Sequence, residues 1–169
     1  MSESASTGGQ PDAQAFDCRL CGHCCEGKGG IVVSAKDLNR LCGHLNLDAP
    51  AFELKFGFRR SGKLFIRCAG NGYCIFFRQG EGCSVHSAKP DICRAWPYFR
   101  GNLVDSESFE LAKDFCPGIP AGQAHKDFLR EGLACLVREN LSGRSGPDEA
   151  HALQVSDLLE KLAREDGKE

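Results

Sequence analysis

Four cysteines within eight residues, Cys18, Cys21, Cys24 and Cys25 in the run CRLCGHCC, constrain this chain more than any other feature. Thiolates bind soft or borderline metals and iron–sulfur clusters far better than they serve packing, and a repeated three-residue spacing lets their sulfurs converge on one point. The spacing therefore predicts a metal site. The 169 residues hold 11 cysteines, an odd number that intrachain disulfides cannot use up. The N-terminal run MSESASTGGQPDAQ has neither a basic segment nor an apolar one of the kind that directs secretion. A cytoplasmic chain is expected, and in that reducing compartment thiol clusters serve metals or catalysis more often than structural bridges.

Charge removes other classes of partner. Twenty-one basic residues face 23 acidic ones, and the net charge of -2 gives no electrostatic reason to expect nucleic acid, whose phosphates need neutralising. No apolar run approaches the ~18 residues of a membrane-spanning helix. The length suits one α+β domain, small, mainly helical and loop-rich around a cysteine metal centre, with one short β-hairpin. Residues 1–15 read as a disordered leader, 16–141 as the cysteine-cluster domain, and 142–169 as a linker, SGRSGP, followed by an amphipathic helix.

Local signals place several elements. Ser34 with Asp37 marks a helix start, and Leu38, Leu41, Cys42 and Leu45 recur at helical spacing up to a stop near Asn46. Asp48, Ala49 and Pro50 open a second short helix to about Lys55. The run KLFIRC, the turn AGNG and the run YCIFF predict the hairpin. Residues 78–97 read as loop and short turns, and 123–140 as a helix carrying Phe128, Leu129, Leu133, Leu136 and Val137. A last helix is expected over about 147–164, with Ala152, Val155, Leu158, Leu159 and Leu162 on one face.

Further cysteines follow the first cluster at Cys74 in GYCIFF, Cys83 in GEGCSVH, Cys93 in KPDICRAWP and Cys116 in DFCPG. Each lies among turn residues, where Gly and Pro let the backbone wrap around an ion from several directions. The order CRLCGHCC, CIFF, CSVHSAKPDICRAWP, CPG resembles the cysteine-cluster family with a C-x2-C-x2-C-C signature, whose members are described as zinc- or iron-chelating domains. The resemblance runs from Cys18 to Gly118 and implies Cys18, Cys21, Cys24, Cys25, Cys74, Cys83, Cys93 and Cys116 as metal ligands. A similar module occurs in bacterial flagellin lysine N-methylases, which adds a protein-modifying system to the readings. This chain leaves no room for a separate methyltransferase domain and has no GxG-type nucleotide loop after a strand.

The expected cofactor is an iron–sulfur cluster or zinc, at one site or two. His23 inside the first cluster and His86 at C-x2-H spacing from Cys83 favour zinc, while the C-x2-C-x2-C run and the Cys116–Pro117 pair favour a cluster. The sequence leaves open whether Cys68, His23 or His86 also ligate. Cys42 and Cys135 fall at helical spacing and read as small core residues. Trp96, Tyr98 and Phe99 read as a cover that keeps water from the metal. Arg19, Lys28, Arg67, Arg78, Lys89 and Arg94 lie among the ligands as basic residues that would screen thiolate charge, with Arg94, between Cys93 and the Trp96–Pro97 turn, the favoured one. No Ser-His-Asp or Cys-His nucleophile arrangement stands out, and whether the chain is an enzyme stays open. Three roles follow: a cluster protein in redox, sensing or carrier work, an enzyme using the cluster, or a zinc-stapled module that binds a protein partner.

Overall fold

A computed structural model describes residues 16–27, 30–142 and 150–166. The elements are β1 (Ile31–Val33), α1 (Ala35–Leu45), α2 (Ala49–Phe56), β2 (Gly57–Arg60), β3 (Lys63–Ile66), β4 (Phe77–Arg78) and β5 (Gly82–Cys83). Five helices follow: α3 (Asp91–Ala95), α4 (Arg100–Val104), α5 (Ser106–Phe115), α6 (His125–Arg138) and α7 (Ser156–Asp166). This is a small α+β fold, as the sequence predicts.

The N-terminal half builds as its caps dictate. Ser34 Oγ accepts from the Asp37 amide while Asp37 Oδ2 accepts from the Ser34 amide, both at 3.1 Å, so two orphan donors of α1 are satisfied reciprocally. Asn46 closes α1 in the left-handed conformation, and Asp48 starts α2 by accepting from the Ala51 amide at 2.8 Å. Pro50 near the start of α2 costs no hydrogen bond there.

The sheet differs from the expected hairpin. β3 pairs with β2 on one side and β1 on the other, all antiparallel, with Arg59 opposite Leu64 and Val33 opposite Leu64. The connecting turn is Ser61–Gly62, both with positive φ, which matches the twist of a two-residue hairpin. The AGNG turn does form, but only a single bridge, Cys68 to Cys74, spans it. YCIFF leaves the sheet because Phe76 is buried in the core and Phe77 pairs with Cys83 in the small β4–β5 ladder.

Two apolar clusters result. The first joins Val33, Leu64 and Ile66 of the sheet to Leu41 of α1, Phe52 of α2, and Phe76, Val85 and Ala88. The second is helical, centred on Phe109, Phe128, Leu133 and Leu136, with Phe109 and Phe128 rings 4.6 Å apart. Helices α4 and α5 were not anticipated from the sequence. The expected C-terminal helix begins later, at Ser156, because a 3-10 turn at His151–Leu153 and the extended residues after it bury Leu153 and Val155 in the helical cluster. The leader and most of the SGRSGP linker lie outside the described residues. No described helix is long and apolar enough to cross a membrane.

Candidate metal centre

The CRLCGHCC run is held at both ends by backbone. The Asp17 amide donates to the Gly118 carbonyl at 2.9 Å, which sets Cys18 beside the Cys116–Pro117–Gly118 corner. A Cβ at Gly118 would clash with Asp17 and Phe16, so the two chain segments approach this closely only because residue 118 is glycine. At the other end the Gly27 amide donates to the Gly72 carbonyl at 3.0 Å and the Cys74 amide to the Cys25 carbonyl at 2.7 Å. Between these anchors His23–Cys25 form one 3-10 turn, preceded by Gly22 at φ 84, whose missing Cβ leaves room for the Phe77 ring.

All eight predicted cysteines line two adjoining pockets in the seam between the two apolar clusters. Cys18, Cys21 and Cys116 belong to the first pocket and Cys74 and Cys93 to the second, while Cys24, Cys25 and Cys83 line both. Trp96 also lines both, and Phe99 lines the second, consistent with the expected cover; Tyr98 instead packs against Phe128 at 5.0 Å. Ile31, Ile66 and Val85 wall the second pocket from the sheet side, and Ile92 and Phe115 from the helical side. All 11 cysteines are free thiols. Among the described residues, no three His, Cys, Asp or Glu side chains form a group spaced to hold one ion, so the sulfurs share walls without forming a closed shell.

Cys24, Cys74, Cys83 and Cys93 hold their protons strongly. A hydrogen bond with Cys25, followed by desolvation and the Cys25 charge, raises the Cys24 thiol, against the pull of Lys89. Burial pushes Cys74 up to about 11, opposed by the Phe76 amide and reinforced by Cys83, Cys68 and Cys24. Cys93 is raised by burial and then by Cys74, Cys24 and Cys83. Cys83 is raised by burial, with Cys24 and Cys18 adding to it and the Val85 amide and Lys89 opposing. A thiophilic cation would relieve all of these, replacing protons with a positive charge the sulfurs can share. The donor set fits zinc or iron in that sense.

Lys89, rather than Arg94, is the basic side chain that lines both cysteine pockets among the described residues, Arg19 lining the first alone. Arg94 instead pairs with Asp91 at 3.3 Å and Glu139 at 3.1 Å. The Lys89 segment is clamped by Arg40, whose Nη2 donates to the Lys89 carbonyl at 2.6 Å, to Asp91 at 2.8 Å and to the buried Asp37 at 2.6 Å. Asp37 also accepts from the Asp91 amide at 2.9 Å, which ties α1 to the helix bearing Cys93.

The remaining candidates separate. His23 lines the second pocket, and its Nδ1 lies 2.6 Å from the Phe115 carbonyl, an acceptor that selects the Nδ1–H tautomer. His86 lines neither pocket and is held below its ordinary pKa by burial and Lys89. Cys68 donates to the Gly27 carbonyl at 2.8 Å and faces a different pocket, with Arg67 and Gly70. Cys42 packs on the sheet-side cluster and Cys135 on the helical one. Sequence reasoning missed Phe115 because it missed α5, whose start was signalled by Asp105, the acceptor for the Ser108 amide at 2.8 Å.

Residues 17–117 match the model of the CxxCxxCC family, described as "Putative zinc- or iron-chelating domain". No solved structure matches the chain.

Proposed function

Because this chain belongs to the CxxCxxCC family, we propose that its eight gathered cysteines hold an iron–sulfur cluster, zinc or both as part of the architecture. One observation carries the reading: Cys18, Cys21, Cys24, Cys25, Cys74, Cys83, Cys93 and Cys116 come from separate stretches and line one continuous seam. Their number is enough for two four-coordinate centres. The free thiols suit a reducing, cytoplasmic setting.

The role that follows is redox, sensing or carrier work rather than direct catalysis, since a centre closed by four cysteines offers no open position to a substrate. A second reading, a metal-stapled module that binds a protein partner, is favoured by Leu20 and Phe115, which stand 49% and 44% exposed beside the cysteines. Anaerobic purification with iron, sulfide and zinc analysis tests both. Brown protein whose EPR signal appears on reduction supports the redox reading, and colourless zinc protein supports the module. Native protein with neither metal removes both.

A further inference from the structure

Cys68 lies outside both cysteine pockets, yet the backbone sets it directly opposite Cys74, which lines the second. The Ile75 amide donates to the Arg67 carbonyl at 3.0 Å and the Ala69 amide to the Tyr73 carbonyl at 2.7 Å, one bond on each side of the Cys68–Cys74 bridge. Those bonds make the two cysteines a non-hydrogen-bonded pair of an antiparallel ladder. The Cys74 amide agrees, since it turns away from Cys68 and donates to the Cys25 carbonyl at 2.7 Å.

Such a pair is the closest that two strands offer. Its Cα atoms lie about 4.5 Å apart with both Cβ atoms on one face, and a disulfide spans ~4.4–6.8 Å between Cα atoms. The backbone therefore already has the spacing of a cystine, near its short end. In the reduced chain the two side chains face different ways. Cys68 Sγ donates to the Gly27 carbonyl at 2.8 Å and lines a surface cavity of about 620 Å³ with Arg67, Gly70 and Asn71, while Cys74 lines the cysteine seam. Rotation about the Cα–Cβ bonds brings the sulfurs together with no strand moved.

We propose that Cys68 and Cys74 form a reversible disulfide, a redox switch that withdraws Cys74 from the seam. The pairing rests on the register alone, and its effect on metal rests on the metal-binding reading above. The oxidant is a peroxide, which reaches Cys68 through the surface cavity. The Cys68 sulfur takes one peroxide oxygen as the O–O bond breaks, giving a sulfenic acid and a water. The Cys74 sulfur then attacks the Cys68 sulfur, the S–O bond breaks, and the departing hydroxide takes the Cys74 proton as a second water. Two electrons pass from the pair of sulfurs to one peroxide. A dithiol reductant reverses the step by exchange. Oxidised Cys74 has no thiolate to offer a metal, so oxidation loosens the centre.

Trypsin cuts after Arg67 and Arg78 and isolates both residues, with no other cysteine, in the peptide CAGNGYCIFFR. In the test the native chain is treated with one equivalent of hydrogen peroxide, alkylated and digested without reductant. The peptide is expected to be unalkylated and lighter by two hydrogens, and to accept two alkyl groups once dithiothreitol has been added. A peptide that keeps both thiols while other cysteines oxidise, or that is linked to another cysteine peptide, overturns the proposal. A chromogenic chelator reads metal release under the same treatment. The unmutated chain is expected to lose metal, and Cys68→Ser, whose hydroxyl still has the Gly27 carbonyl as acceptor, to keep most of it. Equal release from both overturns the switch. A native chain without metal overturns the proposed function, while the peptide still decides the pairing because its mass does not depend on metal.

Discussion

The sheet-side and helical clusters meet at the cysteine seam, yet they are unequal. Eight buried residues make the first and 13 the second, and the helical one is knitted by aromatic pairs such as Phe109–Phe128 and Tyr98–Phe128. The sheet-side cluster is covered by half-buried Cys74 and Cys83, whereas the larger helical cluster includes the buried Cys116, so candidate ligands make up the greater share of the smaller cluster's wall. A small core cannot offset chain entropy alone, and on the proposed reading the smaller cluster depends more on the metal.

Stripping the metal tests this contrast most severely. Structural zinc sites contribute about 10–16 kcal/mol of apparent folding free energy. Chelation is expected to remove amide-exchange protection from the sheet-side strands first, while α6 keeps more of its own; equal loss in both halves would erase the distinction. Next come the cores themselves. Phe128→Ala in the helical cluster should cost ~3–5 kcal/mol and Leu41→Ala in the sheet-side cluster ~2–5 kcal/mol by chemical denaturation. Only Leu41→Ala should also weaken metal retention, because α1 is clamped to the helix of Cys93.

That clamp is the next lever. Arg40→Ala leaves Asp37 buried without its partner and should cost ~2–3 kcal/mol, below the fully buried limit because Arg40 is a quarter exposed. Its pH dependence has a definite sign. Burial would raise Asp91, but Lys36 and Arg40 outweigh it and hold the carboxylate below its ordinary 3.8. The contribution is therefore fully present above pH 3.8 and is lost as pH falls through the lower folded value. Acid titration of the Arg40→Ala variant should show that component reduced but not abolished, since Lys36 still pairs with Asp91. The smallest effect is expected for Ser34→Ala, about 0.5–2 kcal/mol from the lost α1 cap, read as a shift in the melting midpoint.

What could be read in the sequence was local. The caps at Ser34 and Asp48 and the apolar periodicity of 123–140 gave α1, α2 and α6 because each rests on residues within a turn or two. The hairpin partner was misread because KLFI can pair on either side, and Ser61–Gly62 is a weaker turn signal than the Gly-rich AGNG. Helix α5, SESFELAKDF, buries only Phe109 and Ala112, too few apolar positions to announce a face. The eight cysteines were legible as a set from their spacing and their family resemblance, but Lys89 was indistinguishable from other surface cations until the fold placed it against both pockets.

The amino-acid order alone determined that thiols would dominate this protein's chemistry, and where its capped helices begin, since side-chain type and short-range spacing fix both. Only the tertiary structure decided which sulfurs share a wall and how much room they enclose. Those depend on contacts between Asp17 and Gly118 and between Cys25 and Cys74, far apart in the chain, and nothing in local periodicity records such distances.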